Sequence, residues 1–511
     1  MKKHIIILLG FISLLGCEKD LLNQENPNTL TPDQFWKTSG DAQSAIIGAY
    51  SPLSGIFYHG RMWSGYEIAY SDENFIQGDF YGALSVFNIN PSDGNFANPF
   101  AEMFKVIFRA NLVLQNVPNI DMDATTKDNI LGEAYFLRAY NYFTLVNHWE
   151  NVPLVTAPAS SLAETQQPPS SPDVIWKQIE ADLTAAIPLL PTSWDDSNKG
   201  RVIKAAAAAF LGKSLLYQEK WGEAAAQFKN IIDNQYGTFD LMPAYKDNFR
   251  ESSENNIESL FEIQMDLTGA WAAGWGADVP SQARYFSFSR DLGVGGASRM
   301  NKWVYDLFMK EMTNGGEIDP RAYETLMWDY PGAVHFNSPF AAKYAADLAN
   351  YASNPTMFRM PLQNAKYVDP NNTPKIPFWT DSANNKRIMR FADVLLMHAE
   401  AENEANGATT AAYTSINRVR ARVDMPDIPD NLSKEEFRQR VRDERTLELC
   451  NESQRPLDLK RWGMMPDRLV DNPDFRPIVI GYVEGRELFP IPQTEIDTNP
   501  AYKDKQNRGY E

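Results

Sequence analysis

The sequence predicts a mainly α-helical fold, in which tetratricopeptide-like helix pairs form a discontinuous superhelical scaffold interrupted by a loop-rich insertion. Three observations support this prediction. Apolar residues recur at helical spacing in several segments, a repeat-like spacing occurs twice, and a long stretch between the two occurrences has no sustained period. A structureless loop of that length is unusual inside a compact domain, so the insertion is predicted to be a subdomain of short helices, turns and small strands.

The first 16 residues have the anatomy of a secretory signal peptide. A charged start precedes an apolar run from Ile5 to Leu15, which is too short to span a bilayer as a helix. The run ends at Gly16 and Cys17, which resembles the lipobox of bacterial lipoproteins, so Cys17 is predicted to be acylated and to anchor the mature chain. The alternative is an ordinary cleavage site with an incidental cysteine. Residues 17–40 would then be the lipidated cysteine and a polar tether.

Composition narrows the classes of partner. The formal net charge is −18, and removing Lys2 and Lys3 with the signal peptide leaves 46 basic against 66 acidic residues, a net charge of −20. Binding to nucleic acid needs a basic surface that this composition does not supply. An anionic membrane surface is disfavoured for the same reason. Cys450 is the only cysteine besides Cys17, so it is predicted to be a small core residue without a disulfide.

The segments that show helical spacing define the scaffold. They lie at residues 41–51, 101–116, 129–146, 173–190 and 202–218. Within the last of these, Leu211 and Gly212 begin a spacing typical of a tetratricopeptide repeat, which continues at Ala224, Phe228 and Ile231. Small residues at such positions let two antiparallel helices approach closely.

The same spacing recurs near the end of the chain. Ala412, Ile416 and Val419 lie 188 residues after Ala224, Phe228 and Ile231, and Ala399 takes the place of Leu211. Both pairs are therefore predicted to stack into one superhelix. The alternative is two unrelated amphipathic helix pairs. The first helix of the second pair is predicted to run from Arg387 to Gly407, buried on more than one side and stopped by a left-handed glycine.

Two stretches are rich in both aromatic and turn-forming residues. The first spans residues 52–100, and the second lies within the insertion at residues 240–386. Trp and Tyr rings on rigid loops can pack against the C–H faces of sugars, and neighbouring amides and carboxylates can bind the hydroxyl groups. The alternative for each ring is burial in the core, which is the commoner fate of an aromatic residue.

Patterns for catalysis, metals and cofactors are weak. The five histidines are scattered without zinc-ligand spacing, and no nucleophile elbow is present. Gly293–Ser298 lacks the last glycine of a dinucleotide fingerprint. Asp121–Thr125 begins like a calcium loop but has Thr126 where the glycine belongs, so it is predicted to cap a helix. We therefore predict no catalytic residue, no metal site and no cofactor.

Nine short motifs are spread over most of the mature chain: Leu137–Tyr142, Val152–Leu154, Asp319–Arg321, Arg390–Glu404, Ile416–Arg420, Glu444–Leu449, Asp458–Trp462, Pro490–Pro500 and Arg508–Tyr510. In their order and spacing, these motifs together resemble the SusD/RagB family of Bacteroidetes outer-membrane lipoproteins. The chain departs from the family pattern at Glu150–Asn151, His398 and Ser453. These are scaffold positions, so the departures affect local packing more than the resemblance.

The resemblance implies a function. SusD-like proteins are non-catalytic lipoproteins on the surface of the outer membrane that capture oligosaccharides and deliver them to a SusC-type TonB-dependent transporter. The alternative is a RagB-like protein that serves oligopeptide import, with a groove lined for backbone hydrogen bonds. The resemblance also implies a single domain over residues 41–511, with its scaffold at about 101–235 and 387–450, its ligand-binding loops at 52–100 and 240–386, and a C-terminal segment at 451–511.

The predicted ligand-binding residues come from the two aromatic stretches, because the family builds its binding face mainly from loops outside the repeats. They are Trp63, Tyr81, Trp271, Trp275, Tyr285, Phe286 and Trp328. Four charged residues near the end of the chain receive a structural role instead. Arg445, Glu448, Arg455 and Asp458 are predicted to form charge-assisted hydrogen bonds that tie the C-terminal segment to the helices.

Overall fold

The computed structural model describes six ranges of the 511-residue chain. They are residues 35–77, 79–265, 297–335, 338–367, 383–469 and 481–511. Cys17 and residues 18–34 of the predicted tether therefore lie outside the described residues, whereas the end of that stretch is described and already contains the start of the first helix at Ser39. No helix within these ranges is long and apolar enough to cross a membrane.

The first described elements are a capped helix and a compact turn region. Helix α1 spans Ser39–Tyr50, and the Thr38 hydroxyl and Asp41 carboxylate close a capping box at its start. The next elements are α2 (Met62–Ala69), β1 (Asn74–Gln77) and α3 (Asp79–Ser85). This stretch was predicted to be rich in loops, and it contains two short helices as well.

Two long helices follow and form the centre of the scaffold. Helix α4 spans Gly94–Asn116 and packs against α5, Ala124–Trp149, whose second half is buried almost throughout. The Asp123 side chain accepts a hydrogen bond from the backbone N–H of Thr126, so the Asp121–Thr125 stretch caps a helix as predicted. A small antiparallel pair then forms between β2 (Val152–Pro153) and β3 (Pro169–Ser170), with α6 (Leu162–Thr165) between them.

The predicted repeat-like pair is present. Helices α7 (Pro172–Leu189), α8 (Lys204–Tyr217) and α9 (Trp221–Ile232) follow one another, and α8 packs against both neighbours. Gly212 on α8 faces Phe228 on α9, and a Cβ added to Gly212 would lie 2.7 Å from that ring. The small residue therefore permits the close approach that the spacing predicted.

The described part of the insertion consists of short helices and two-stranded sheets, as predicted. Strand β4 (Ser259–Ile263) precedes the segment 266–296, and β5 (Ala297–Met300) follows it. The later elements are α10 (Lys302–Phe308), α11 (Pro320–Thr325), β6 (Leu326–Met327), β7 (Val334–His335), β8 (Ser338–Pro339), α12 (Phe340–Lys343), α13 (Ala345–Ser353) and β9 (Gln363–Asn364). The pairs β6–β9 and β7–β8 are antiparallel.

The stretch from Arg387 to Gly407 corrects the prediction in two respects. Residues Lys386–Arg390 form strand β10, which pairs with β4, and helix α14 begins only at Phe391 and ends at Asn406. The apolar Ile388 supplied helical spacing to the sequence pattern but lies on the strand. Gly407 has the expected positive φ of 86°, yet its ψ of −174° is far from the left-handed helical value.

The two helix pairs stack, which confirms the superhelical arrangement. Helix α14 packs against α15 (Thr410–Ala421) to form the second pair, and α9 of the first pair packs directly against α14. Helix α16 (Lys434–Leu449) also packs on α14. The chain then continues through α17 (Arg455–Arg461), α18 (Met465–Leu469) and α19 (Gln493–Thr498). Cys450, at the end of α16, is fully buried as predicted.

Candidate functional site

The two aromatic stretches of the sequence meet at one small sheet. Strand β1 pairs with β5 in antiparallel register, with Gln77 opposite Ala297 and Asn74 opposite Met300. Ala297 is the first described residue after the segment 266–296, and α3, which carries Tyr81, begins two residues after Gln77. The early stretch and the end of the long insertion segment therefore lie side by side.

Buried polar groups fix this junction. The backbone N–H of Asn301 donates to the carbonyl of Glu73 at 2.8 Å, and the Asn451 N–H donates to the Glu73 carboxylate at 3.1 Å. Burial raises the pKa of Glu73 to about 7, although the Arg455 guanidinium acts in the opposite direction. The start of β1 is thereby bonded both to the insertion and to the chain that follows α16.

Most of the predicted binding residues fall outside the described part of the chain. Trp271, Trp275, Tyr285 and Phe286 lie in the segment 266–296, so their placement stays a prediction. Tyr81 lies on helix α3, and its backbone alone is described.

Trp63 corrects the prediction that its ring lies on an exposed loop. It belongs to helix α2 and is 0% exposed. Its ring stacks on Trp149 at a centroid distance of 5.5 Å and meets the edge of Phe489 at 5.7 Å. The region around residue 63 folds as a helix against α5 and the C-terminal segment, so the ring is a core residue and presents no face to a ligand.

Trp328 was predicted to be an exposed binding residue, but it is also buried. It packs, however, against a tyrosine ring that is exposed. It is 4% exposed and packs in a core cluster with Met300 and Leu362. Three tyrosine rings surround it, with centroids 4.6 Å away for Tyr330, 5.0 Å for Tyr323 and 5.8 Å for Tyr305. We call Tyr305, Tyr323, Trp328 and Tyr330 the aromatic patch.

Tyr323 is the outer ring of the aromatic patch. Its side chain is 41% exposed, whereas Trp328 behind it is buried. Tyr323 also meets Tyr330 edge-on at 5.1 Å, and burial together with the neighbouring Tyr323 raises the pKa of the Tyr330 phenol. The patch thus offers a fixed, partly exposed aromatic face with protonated phenol groups beside it. Such a surface can pack against an apolar face and donate hydrogen bonds at its rim.

Sequence reasoning did not select Tyr323 as a site residue. A usable signal was present, because the Asp319–Arg321 motif begins helix α11 and Tyr323 follows it by two residues. The Asp319 carboxylate accepts a hydrogen bond from the Arg321 N–H at the start of α11. Composition alone could not show that Tyr323 is exposed while Trp328, in the same short segment, is buried.

Arg321 connects the aromatic patch to the scaffold. Its guanidinium is fully buried, and it bonds to Asp319 at 2.7 Å, to Glu444 at 2.6 Å and to Glu448 at 3.2 Å. The two glutamates lie on α16, so this cation holds α11, and with it Tyr323, against the helical scaffold. A rigid support of this kind lowers the entropic cost of binding to an aromatic surface.

Arg321 is part of a larger set of buried ion pairs that we call the ionic seam. Its cations are Arg321, Arg390, Arg422 and Arg445, and its anions are Glu258, Asp393, Glu444, Glu448, Glu452 and Asp458. Arg445 lies 2.7 Å from Asp393 and 2.8 Å from Asp458, and Arg455 makes a bidentate pair with Asp72. Arg445, Arg455 and Asp458 therefore tie the C-terminal segment to the rest of the fold as predicted, whereas Glu448 pairs with Arg321, Arg390 and Arg422, none of which lies in that segment.

The ionic seam lowers the pKa of three of its carboxyl groups, those of Glu448, Glu452 and Asp458. Burial alone would raise the pKa of Asp458, but the Arg445 and Arg461 guanidiniums outweigh it and lower that pKa to about 2. Burial alone would also raise the pKa of Glu448, but the guanidinium groups of Arg422, Arg390 and Arg321 outweigh this effect. The pKa of Glu448 therefore lies well below the usual range. Each of these carboxylates is ionised and paired at neutral pH, as expected of a group that ties elements together.

In the six described ranges, no group of three or more His, Cys, Asp or Glu residues is arranged to hold a metal ion.

Comparison with known proteins identifies relatives over nearly the whole chain. A model of the SusD family matches residues 238–510, and a second family model, described as starch-binding associating with outer membrane, matches residues 25–216. SusD-like protein P25 of Formosa agariphila is 26% identical, and the alignment covers 100% of both chains. SusD-like protein P2 of the same organism is 25% identical over 98% of each chain.

Solved structures agree with these relatives. The crystal structure of a SusD superfamily protein from Bacteroides vulgatus is 26% identical, with a TM-score of 0.78 over 91% of this chain and 98% of that one. A structure described as a laminarin-binding SusD-like protein is also 26% identical, with a TM-score of 0.73 over 93% of this chain and 100% of that one. The observed fold is thus shared with structures of this group along its length.

Proposed function

The chain belongs to the SusD family, and from this premise we propose that it is a non-catalytic glycan-binding protein of the cell surface. It captures oligosaccharides and delivers them to a partner transporter of the SusC type, which is TonB-dependent. The observation that carries the proposal is the partly exposed Tyr323 ring, held on a buried Trp328 and fixed to the scaffold through Arg321. The relative that binds laminarin supports the choice of ligand class.

The chemistry of the aromatic patch suits a sugar ring. A pyranose has an apolar C–H face, which packs against an aromatic ring, and a rim of hydroxyl groups, which form hydrogen bonds. Tyr323 supplies the exposed ring, and the phenol of Tyr330 beside it supplies a donor. In this proposal, the predicted residues Tyr81, Trp271, Trp275, Tyr285 and Phe286 add further rings, since the β1–β5 sheet brings the ends of their segments together.

Calorimetry with a panel of ligands tests the binding half of the proposal. The panel contains maltohexaose, laminarihexaose, cellohexaose and xylohexaose, together with hexapeptides of mixed composition. We expect at least one hexasaccharide to release heat and the peptides to release none. Heat from the peptides alone would overturn the glycan proposal in favour of peptide import, and binding that turns a glycan over into shorter products would overturn the non-catalytic part.

The location and the partner are tested in membranes. We propose that Cys17 is acylated and anchors the chain to the outer membrane, with the folded domain outside the cell. Affinity purification of the tagged chain from detergent-solubilised membranes is then expected to recover a SusC-type transporter, and Cys17→Ala is expected to release the chain from the membrane fraction. Retention of the Cys17→Ala chain in that fraction would contradict the lipid anchor.

A further inference from the structure

Two adjoining cavities open where the loop from Thr192 to Arg201 crosses strand β4. Their volumes are about 470 and 620 Å³, which lie within the range of small-molecule sites. Both are lined by Lys199, Gly200 and Arg201 on one side and by Phe261 and Glu262 on the other. Neither cavity is lined by a residue of the aromatic patch, so they form a separate part of the surface.

Gly200 sets the distance between the loop and β4. Its φ of +93° lies in the left-handed region, and a Cβ added there would lie 2.3 Å from the Cδ atom of Gln264. The backbone of the loop therefore lies directly against the Gln264 side chain, just beyond the end of the strand, and Gly200 lines both cavities. A larger residue at position 200 would push the loop away and change the shape of both cavities.

Trp194 is a fixed aromatic residue in the smaller cavity. Its indole N–H donates a hydrogen bond to the carbonyl of Val202 at 2.8 Å. The guanidinium of Arg201 lies 4.3 Å from the centre of its ring, and the side chain is half-buried. The ring is thus held in place before any ligand arrives, which reduces the entropic cost of packing against it.

Arg201 and Val202, which hold the Trp194 indole, are themselves bonded to residues of helices α1 and α5. Arg201 Nε donates to Glu133 at 2.9 Å, and the Glu133 carboxylate is 0% exposed. The same carboxylate accepts a hydrogen bond from the Tyr50 hydroxyl at 2.7 Å, and that hydroxyl accepts one from the Val202 N–H at 3.1 Å. Helices α1 and α5 therefore fix both partners of the indole, so the cavity wall is part of the rigid scaffold.

The polar lining of the smaller cavity matches a ligand rich in hydroxyl groups. The Asn255 and Asn256 carboxamides line it, and four further residues supply hydroxyl groups: Thr192, Ser193, Thr238 and Ser259. Within the described ranges these four hydroxyls form no hydrogen bond to the protein. A hydroxyl group both donates and accepts, so it pairs with the hydroxyls of a sugar in either direction.

Two of the charged groups that line the cavities are paired with other residues of the protein. Arg201 is paired with Glu133, and Glu262 accepts a hydrogen bond from the Asn255 N–H and lies 3.4 Å from Arg387. Lys199 lines both cavities, and its ammonium group has no ion pair in the part of the chain that the structure describes. The lining therefore combines the half-buried indole of Trp194 with hydroxyl groups and the ammonium group of Lys199.

We propose that the two cavities form a second saccharide-binding site, in which Trp194 packs against the C–H face of a pyranose. The hydroxyls of Thr192, Ser193, Thr238 and Ser259 bind the hydroxyl groups of the sugar, and Lys199 donates to the next residue of the glycan in the larger cavity. This inference rests on the proposed function. Two separate sites would bind one long glycan at two points, so that a polymer is retained more tightly than a short oligosaccharide.

The number of sites measured by calorimetry tests this inference. The full mature chain is titrated with each hexasaccharide of the panel, and its retention by the corresponding polysaccharide is measured by affinity electrophoresis. We expect two sites in the unaltered protein and one in Trp194→Ala, with polymer retention about tenfold weaker. Trp221→Ala is the matched control, because Trp221 is a half-buried scaffold tryptophan that lines neither cavity.

A second variant covers the case in which Trp194→Ala fails to fold. Thr192 and Ser193 are exposed, so Thr192→Val with Ser193→Ala removes two free hydroxyls without disturbing the core, and it is expected to weaken the second site severalfold. The inference is overturned if a glycan binds at only one site in the unaltered protein, or if the Thr192→Val, Ser193→Ala variant keeps the number of sites and the affinities of the unaltered protein. Either result leaves the proposed function intact. Absence of heat with every hexasaccharide would instead remove the proposed function and this inference together.

Discussion

The ionic seam and the aromatic patch are joined through Arg321, which pairs with the seam carboxylates and shares helix α11 with Tyr323, and the two regions use opposite kinds of chemistry. The seam consists of charged groups that are almost completely buried and paired, for example Arg390 with Glu448 and Glu452. The patch consists of uncharged rings, and its outer member Tyr323 is 41% exposed. Charged residues here hold the scaffold together, whereas aromatic residues provide the surface that a ligand can reach.

The difference predicts where a substitution will act. Removing one member of a buried ion network leaves its partners charged and desolvated, so stability is lost. Removing a partly exposed ring leaves no buried charge behind, so stability changes little and only binding is affected. Substitutions in the seam are therefore expected to lower stability, and substitutions in the patch are expected to weaken binding.

The largest effect is expected for Arg390→Met. Arg390 bonds to Glu258, Glu448 and Glu452, and all four side chains are buried. Without the guanidinium, the three carboxylates lose a shared partner, and we expect the free energy of unfolding to fall by about 3–5 kcal/mol. Urea denaturation monitored by circular dichroism measures this change.

The matched control for that substitution is Arg508→Met. Arg508 pairs with Glu484, but both side chains are more than half exposed, so a change below about 1 kcal/mol is expected. Equal stability of Arg390→Met and the unaltered protein would contradict the structural role of the seam.

An intermediate effect is expected on acidification. The folded-state pKa of Asp458 is about 2, below the value of about 3.9 for an unfolded aspartate, so the unfolded chain binds protons first as the pH falls. Its contribution of roughly 2 kcal/mol is complete above pH 4 and is lost as the pH falls through 2. The lowered pKa of Glu448 acts in the same direction.

Thermal unfolding measured between pH 5 and pH 2 tests this dependence. Glu73 has little effect on the acid limb below pH 4, because the folded state, with a pKa of about 7, is protonated there and the unfolded state, with a pKa of about 4.3, is mostly protonated as well. At higher pH, Glu73 changes the stability in the opposite direction to Asp458. The folded protein holds Glu73 protonated, so stability is lost as the pH rises towards 7. A melting temperature that stayed constant from pH 4 to pH 2 would show that the seam carboxylates are not held ionised by their partners.

Sequence patterns predicted the scaffold better than the surface. The spacing of Gly212 and Phe228 anticipated a close helix pair, because a repeat needs a small residue wherever two helices touch. The boundary at Phe391 was missed because Ile388 continues the apolar pattern, although it lies on strand β10, which pairs with β4 more than a hundred residues away. Such pairing depends on tertiary contacts that local periodicity does not contain.

Aromatic residues were harder to assign for a related reason. Trp63 and Trp328 both lie among turn-forming and polar residues in the sequence, which is the surrounding composition expected for an exposed ring. Trp63 is buried because Trp149 and Phe489 arrive from distant parts of the chain, and Trp328 is buried behind Tyr323. Exposure of a ring is decided by its neighbours in space, so composition could identify the stretch but not the residue.

The smallest effect in free energy is expected for Tyr323→Ala, and it should fall on binding. The ring packs on Trp328 and Tyr330 but is 41% exposed, so we expect the free energy of unfolding to change by about 1 kcal/mol or less. Loss of the exposed face is expected to weaken glycan binding by about 1 kcal/mol, or roughly fivefold.

Calorimetry with the best hexasaccharide of the panel measures the affinity, and Tyr323→Phe serves as control because it keeps the ring. Unchanged affinity in Tyr323→Ala would show that Tyr323 does not contact the glycan, and an equal loss in both variants would assign the contact to its hydroxyl group and not to packing on the ring. A fivefold loss confined to Tyr323→Ala would locate binding on the aromatic patch and leave stability to the ionic seam.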